Sequence, residues 1–192
     1  LATVVEVNLA PDGGVDLEHL QHLLRVPEYQ GRLRIGSFSA ASNVTGMRSP
    51  TREIARLLHA NDAYACFDYA ASAPYGEIDM NPAPDAEVGD ASYDAVFLSP
   101  HKFLGGPGSS GVLVFNERLY SRDLPPSVAG GGTVDYVSPL DQDFIADIEE
   151  REKAGTPGVL QTMKAALAMD LKQKIGVERI EAREHELLRR AM

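Results

Sequence analysis

The sequence predicts an α/β fold with a mostly parallel sheet, one antiparallel strand and flanking helices. Over the first hundred residues, short apolar runs alternate with segments whose apolar residues recur every three or four positions, which is typical of parallel βαβ units. A later apolar run, residues 111–115, follows its predecessor too closely for a helical crossover, so we expect it to pair antiparallel. The length of 192 residues is enough for one core.

The same patterns predict where the individual strands and helices lie along the chain. We expect strands over residues 1–9, 33–38, 63–67, 94–98 and 111–115. Helices are predicted over residues 17–24, just after Pro50, over 159–175 and over 177–191. Asp16 would cap the first helix and Gly176 would separate the last two. Residues 125–140 are rich in Gly and Pro and are expected to form a loop.

Charge and cysteine content exclude several function classes. Lys and Arg number 18 against 28 Asp and Glu, a net charge of −10, which argues against a nucleic-acid partner. No apolar run approaches the ~20 residues of a membrane span. Cys66 is the only cysteine, which excludes an internal disulfide and favours a reducing, cytoplasmic location. We expect no metal site, since the helical pair His19 and His22 is better interpreted as solvated.

Polar residues follow three successive predicted strands. Asn43 follows the second strand, Asp68 the third, and Ser99, His101 and Lys102 the fourth. The carboxyl ends of parallel strands meet at one edge of a sheet, where ligands bind, so these side chains should converge. A lysine there can attack a carbonyl, and a carboxylate after an apolar strand should face a cation such as a protonated pyridoxal ring. Taken singly, these motifs are better explained as a solvated lysine, a turn or N-cap aspartate and an Asn-x-x-Gly turn, and only their convergence favours a ligand site.

Five short motifs follow one another along nearly the whole chain. They are Ser42-Asn43-Val44-Thr45-Gly46, Asp68, Ser99-x-His101-Lys102, Gly130-Gly131-Gly132-Thr133 and Ala154-Gly155-Thr156-Pro157. In this order they resemble the class V aminotransferase family, fold-type I pyridoxal phosphate enzymes that include cysteine desulfurases, selenocysteine lyases and kynureninase-like proteins. The resemblance implies pyridoxal 5′-phosphate as cofactor, an amino acid as substrate and a homodimeric full-length protein.

The resemblance also implies a role for each matching residue. Lys102 would hold the cofactor as an internal aldimine and later move the α-proton of the substrate. Asp68 would pair with the pyridinium nitrogen, and Asn43 would contact the ring hydroxyl oxygen. Ser99 and His101 would bind the phosphate.

Other positions extend or depart from the family pattern. Thr156, or a residue near Thr133, would reach a phosphate across the dimer interface. Ala71 stands where members commonly carry a Gln or His that touches the ring oxygen, and Lys153 stands where many carry Glu. The spacing from Asp68 to Lys102 is longer than usual, with residues 81–90 as the apparent insertion. These departures leave the substrate class open.

Parts of the family pattern have no match in this sequence. A glycine-containing phosphate loop, a ring-stacking side chain and the Arg that binds the substrate carboxylate are missing. We therefore expect residues 1–175 to be part of a cofactor-binding large domain and residues 176–192 to begin a helix leading to a further domain. Cys66 lies in a predicted buried strand and is interpreted as a structural thiol. The reaction could be amino-group transfer or cysteine or selenocysteine cleavage, and a non-catalytic α/β domain for oligomerisation or binding is the alternative.

Overall fold

The central sheet has four strands. The computed structural model describes residues 2–83 and 87–192, and its strands β1 (Ile35–Ser39), β2 (Tyr64–Asp68), β3 (Ala95–Leu98) and β4 (Val112–Phe115) lie side by side in that order. Strands β1, β2 and β3 are parallel, whereas β4 runs antiparallel to β3. The predicted fold class is confirmed, including the antiparallel strand that its short connection required.

Five α-helices accompany the described strands. They are α1 (Leu17–Leu24), α2 (Thr51–His59), the short α3 (Ile148–Arg151), α4 (Val159–Ile175) and α5 (Val177–Ala191). Asp16 caps α1 as predicted, because its Oδ1 accepts the backbone N–H of His19 at 2.9 Å. Helix α2 begins directly after Pro50, and Gly176 separates α4 from α5.

The main core lies between the sheet and helices α1 and α2. It is formed by buried side chains from all of these elements, among them Leu20, Ile54, Leu58, Phe67 and Tyr93. A second, smaller cluster joins helix α4 to the loops that follow β2 and β3, through Ala168, Ala73 and Phe103. The buried residues of α4 are only Ala165 and Ala168, whereas Leu160, Met163 and Leu167 are exposed.

A buried ion network holds the amino end of the sheet. Asp94, just before β3, is completely buried and its Oδ2 accepts the backbone N–H of Ala65 at 2.7 Å. The same oxygen lies 2.9 Å from His59 Nε2, and Oδ1 lies 2.5 Å from Arg118 Nε. The other ring nitrogen of His59 lies 3.3 Å from the Asp90 carboxylate. Helix α2, strands β2 and β3 and the segment after β4 are thereby tied together.

Residues 2–9 do not form the predicted strand. Their backbone makes only an isolated bridge, from Leu9 to Val15. The backbone groups of Asn8 are bonded instead near the start of α1, where its N–H donates to His19 Nδ1 at 2.9 Å and its carbonyl accepts from Asp16. The prediction was wrong because a strand needs a neighbouring strand to pair with, and an apolar sequence does not show whether one is present. This segment lies against a helix instead.

The Gly- and Pro-rich stretch is not wholly loop. Residues 125–140 contain strand β5 (Val134–Val137), which pairs antiparallel with β6 (Gln142–Phe144). The turn between them is closed by Ser138, whose N–H donates to the Asp141 carbonyl at 2.8 Å. Sequence reasoning missed this hairpin because its strands are short and the first lies within the stretch that is rich in Gly and Pro.

Two further findings concern the described residues only. None of their helices is both long and apolar enough to cross a membrane. They also contain no group of three or more His, Cys, Asp or Glu side chains placed to bind a metal ion. Of the predicted insertion, residues 81–90, positions 84–86 lie outside the part of the chain that the structure describes.

Candidate functional site

The polar loops predicted to converge do follow strands that end together. Ser39 pairs with Asp68 across β1 and β2, and Asp68 pairs with Phe97 across β2 and β3. The three strands are parallel, so the loops carrying Asn43, Asp68 and Lys102 all start at the carboxyl edge of the sheet. This is the edge at which open α/β sheets bind their ligands.

Asp68 ends β2 with an exposed carboxylate. Its Oδ1 accepts the backbone N–H of Ala70 at 2.7 Å, which is an Asx turn. No Lys, Arg or His nitrogen of residues 2–83 or 87–192 lies within 4.0 Å of the carboxylate. The expected cation is therefore not supplied by the described chain, and water meets the charge because β2 ends at the sheet edge. Oδ2 is left for a ligand.

The turn after β1 presents Asn43. Ser42 closes the turn, since its carbonyl accepts the N–H of Gly46 at 3.0 Å and its Oγ accepts the N–H groups of Val44 and Thr45. Gly46 has a φ of +73°, a conformation that glycine adopts without steric cost. The Asn43 side chain is exposed, and no hydrogen bond joins it to another described residue. Its amide is free to bind a ligand.

Ser99, His101 and Lys102 occupy a single tight turn after β3. Pro100–Lys102 forms one turn of 3₁₀-helix, in which the N–H of Lys102 donates to the Ser99 carbonyl at 2.9 Å. The His101 and Lys102 side chains are exposed. The chain then folds back so closely that a Cβ on Gly106 would lie 1.8 Å from the Pro100 carbonyl oxygen. Only glycine fits at Gly106, and the lysine loop takes its shape from that close approach.

The last two motifs touch each other. The N–H of Gly155 donates to the Gly131 carbonyl at 2.8 Å, so the glycine turn and the following Ala-Gly-Thr-Pro segment are adjacent. Thr133 is completely buried, and its hydroxyl donates to the Gly130 carbonyl at 2.7 Å. Thr156 is exposed, and its hydroxyl is bonded to none of the described residues. The hydroxyl of Thr133 is thus used within its own turn, whereas that of Thr156 is free.

The departures from the family pattern also have a structural setting. Ala71 offers no side-chain donor, and the neighbouring hydroxyl of Ser72 is buried without a hydrogen-bond partner in the described chain. Ser72 lines a cavity of about 160 Å³ together with Arg48, Tyr69 and others.

Cys66 lies inside β2 and is 7% exposed. Burial, reinforced by the nearby charge of Asp94, raises the pKa of its thiol to about 11. A thiol in this state is almost entirely protonated near neutral pH and is a poor nucleophile. The interpretation of Cys66 as a structural thiol is consistent with both its burial and its pKa.

The donor set at the carboxyl edge fits pyridoxal 5′-phosphate. Asn43, Ser99, His101 and Lys102 have side chains without a hydrogen-bond partner among residues 2–83 and 87–192, and Asp68 keeps one free oxygen. An amine can react with the carbonyl carbon of the cofactor, and a carboxylate can accept a hydrogen bond from its ring nitrogen. An amide can donate to the ring oxygen, and imidazole and hydroxyl groups can bind the phosphate.

One side chain near this site was missed by sequence reasoning. Lys172 of α4 donates from Nζ to two carbonyls of the loop that follows Asp68, those of Ala73 at 2.6 Å and Gly76 at 2.5 Å. Its spacing could have indicated this contact. Lys172 lies four residues after Ala168 and therefore shares the buried face of the helix.

Comparison with known proteins gives consistent results. The family model for aminotransferase class-V matches residues 1–192. A protein named probable cysteine desulfurase 2, from Mycobacterium leprae, is 30% identical over 191 residues, which are 100% of this chain and 41% of that protein. A probable cysteine desulfurase from Halalkalibacterium halodurans is 29% identical over 191 residues, 43% of its length. The chain therefore spans less than half the length of these curated relatives.

Solved structures show the same likeness. The apo structure of a cysteine desulfurase from Thermococcus onnurineus NA1 matches with a TM-score of 0.77 and 25% identity, covering 96% of this chain and 42% of that one. The cysteine desulfurase CsdA from Escherichia coli matches with a TM-score of 0.75 and 23% identity, covering 91% of this chain and 40% of that one. The fold of this chain is the fold of the corresponding part of these enzymes.

Proposed function

The chain belongs to the aminotransferase class-V family, and on that premise we propose that it is the pyridoxal 5′-phosphate-binding part of an enzyme that acts on an amino acid. One observation carries the proposal. Polar side chains of the kinds the cofactor needs follow three parallel strands at the same sheet edge, and within the described chain their side chains have no hydrogen-bond partner apart from the Ala70 N–H at Asp68 Oδ1.

Each of these residues has a distinct task. When bound, the cofactor supplies an electron sink for charge that develops on the substrate α-carbon. Lys102 would supply the amine that holds the cofactor and would move the proton at the substrate α-carbon. Asp68 Oδ2 would accept a hydrogen bond from the protonated ring nitrogen. Asn43 would donate its amide N–H to the ring oxygen, and the hydroxyl of Ser99 and the imidazole of His101 would bind the phosphate.

We propose cysteine as the substrate, with carbon–sulfur cleavage as the reaction, because the relatives that align along the whole chain carry the name cysteine desulfurase. Selenocysteine cleavage and amino-group transfer are the alternatives within the family. The sole cysteine, Cys66, is too buried and too weakly acidic to accept sulfur. The acceptor thiol must therefore belong to another segment or another molecule.

We further propose a homodimer in a reducing, cytoplasmic compartment. Thr156 remains the candidate for contact with a phosphate across the dimer, since its hydroxyl is exposed. Thr133 would first have to give up its bond to Gly130. The reducing compartment is supported by Cys66, which is buried without a disulfide partner.

The test is covalent trapping of the cofactor. The protein is mixed with pyridoxal 5′-phosphate, reduced with borohydride and digested, and the modified lysine is identified by mass spectrometry. We expect one main adduct, on Lys102, which is lost in Lys102→Ala and kept in Lys174→Ala, an exposed lysine on α4. Labelling spread over surface lysines, or none, would contradict the proposal and favour a non-catalytic binding domain.

Turnover provides a second measurement. We expect the 192-residue chain to produce little alanine or sulfide from cysteine, because the sequence has no match to the Arg that binds the substrate carboxylate in the family. Substantial turnover of any amino acid by this chain would contradict that expectation.

A further inference from the structure

Lys172 links the three parts that frame the proposed cofactor site. It lies in the last turn of α4, and its ammonium donates to the carbonyls of Ala73 and Gly76 in the loop after Asp68. The same ammonium lies 5.7 Å from the ring centroid of Phe103, the residue after Lys102. One side chain thus contacts both the loop that carries the carboxylate and the loop that carries the lysine.

A lysine is unusual at this position. Ala165, Ala168 and Lys172 are spaced three and four residues apart, so they share the face of α4 that packs against the two loops. Lysine is among the residues least often buried. Among the described residues no carboxylate oxygen lies within 4.0 Å of the ammonium, so it is held by backbone carbonyls rather than by an ion pair. Partial burial accordingly lowers the pKa of Lys172, an effect that the charge of Glu77 partly offsets.

The carbonyls that Lys172 binds belong to a continuous set of turns. The N–H groups of Ser72 and Ala73 both donate to the Tyr69 carbonyl, and that of Tyr75 donates to the Ser72 carbonyl. These turns begin directly after Asp68, and the Ala70 N–H at their start donates to Asp68 Oδ1 at 2.7 Å, so they help to orient its carboxylate. Hydrogen bonds from a charged donor are stronger than neutral ones, and two of them fix the turns against α4.

We propose that Lys172 is a positioning residue that fixes the Asp68 carboxylate relative to Lys102, and that it tunes the bound cofactor through Asp68. This inference rests on the proposed function. Lys172 itself acts on the backbone of the Asp68 loop and on the Phe103 ring. Loss of its donors should let the loop move away from the lysine turn and weaken the contact of Asp68 with the cofactor ring.

The test compares three variants of the full chain with the unsubstituted protein. Lys172→Met keeps the length of the side chain and removes the donors, whereas Lys172→Arg keeps charge and donors. Lys174→Met is the matched control, since Lys174 is exposed and, among residues 2–83 and 87–192, pairs only with Asp170 on the same helix. If Lys172→Met does not fold, Lys172→Gln, which keeps a donor and loses the charge, takes its place.

Three readouts separate positioning from general stability: cofactor affinity, the pH midpoint of the bound cofactor and amide hydrogen exchange. We expect Lys172→Met to bind pyridoxal 5′-phosphate roughly tenfold more weakly, in the range found for other residues that orient a binding group. We also expect it to shift the pH midpoint of the visible band of the bound cofactor, and Lys172→Arg to restore most of both. Hydrogen exchange should become faster at the amides of Ser72, Ala73 and Tyr75 in Lys172→Met and stay unchanged in Lys174→Met.

The outcomes are distinguishable. Unaltered affinity and pH midpoint in Lys172→Met would overturn the positioning role and leave the proposed function standing, even if the variant were less stable. A failure of the unsubstituted chain to bind the cofactor at Lys102 would overturn the proposed function, and the positioning role with it.

Discussion

Replacement of Asp94 by Asn tests the buried network at the amino end of the sheet. Each carboxylate oxygen of Asp94 serves two nitrogen atoms: Oδ1 those of the Arg118 guanidinium at 2.5 Å, and Oδ2 those of His59 and Ala65. Asparagine has one acceptor oxygen and one NH₂ group. In either orientation of the amide a donor loses its acceptor, because the NH₂ group faces either the Ala65 N–H or the two Arg118 nitrogen atoms.

The cost can be estimated from the burial of Asp94, whose side chain is fully enclosed. Breaking a buried ion pair by removing one partner destabilises a protein by about 3–5 kcal/mol. For a domain of this size each kcal/mol lowers Tm by about 2–4 °C, so we expect a fall of roughly 6–20 °C. A loss of that size is a large part of the 5–15 kcal/mol that typically separates folded from unfolded states.

Urea unfolding of Asp94→Asn, with thermal unfolding alongside, measures this loss. Asp90→Asn is the matched control, because Asp90 touches the same imidazole from a half-exposed position and should cost about 1 kcal/mol or less. Below its melting temperature, Asp94→Asn should still form the Lys102 adduct, since Asp94 precedes β3 and the cofactor loops follow the strands. A free-energy loss for Asp94→Asn no larger than that for Asp90→Asn would refute the reasoning.

Gly106→Ala should destabilise the chain by about 1–3 kcal/mol and weaken cofactor binding, because its Cβ would lie 1.8 Å from a backbone oxygen, inside the 3.0 Å that real contacts respect. Urea unfolding and cofactor titration measure both effects, and Gly131→Ala, with open space around its Cβ, should be neutral. Asp68→Asn should raise the Kd for pyridoxal 5′-phosphate roughly tenfold or more through loss of a charged hydrogen bond, and an unchanged Kd would contradict its role. Iodoacetamide should label Cys66 only after unfolding, so rapid labelling of the native protein would argue against its burial. Since folding raises the pKa of Cys66 from 9.0 to about 11, the unfolded chain loses that proton first; the free energy of unfolding should fall between pH 9 and 11, and less steeply in Cys66→Ala.

The strands and loops of the site were predictable for a physical reason. Parallel strands of one sheet end at the same edge, so the placement of Asn43, Asp68 and Lys102 after successive apolar runs already implied a common site. The short link between residues 98 and 111 likewise required an antiparallel strand, and β4 has that direction. These inferences needed only local patterns and the rules of chain connection.

The remaining features depend on tertiary partners that local patterns do not contain. Residues 2–9 have the composition of a strand, but their backbone groups meet α1. The strands of the β5–β6 hairpin have only four and three residues, too few for a periodic pattern to be recognised from sequence. The exposure of Asp68 and the contacts of Lys172 follow from where β2 and α4 end relative to each other. The closed turn of Thr133, likewise, is a property of the folded glycine segment.

Helix α4 has a consequence for the behaviour of this chain in solution. Its buried face consists of Ala165 and Ala168, while Leu160, Met163 and Leu167 are 77%, 57% and 66% exposed. Exposed apolar stripes of this kind attract one another, and the net charge of −10 opposes that attraction only while it is unscreened. Self-association of the chain should therefore increase with protein concentration and with added salt, and light scattering over a salt series would reveal it.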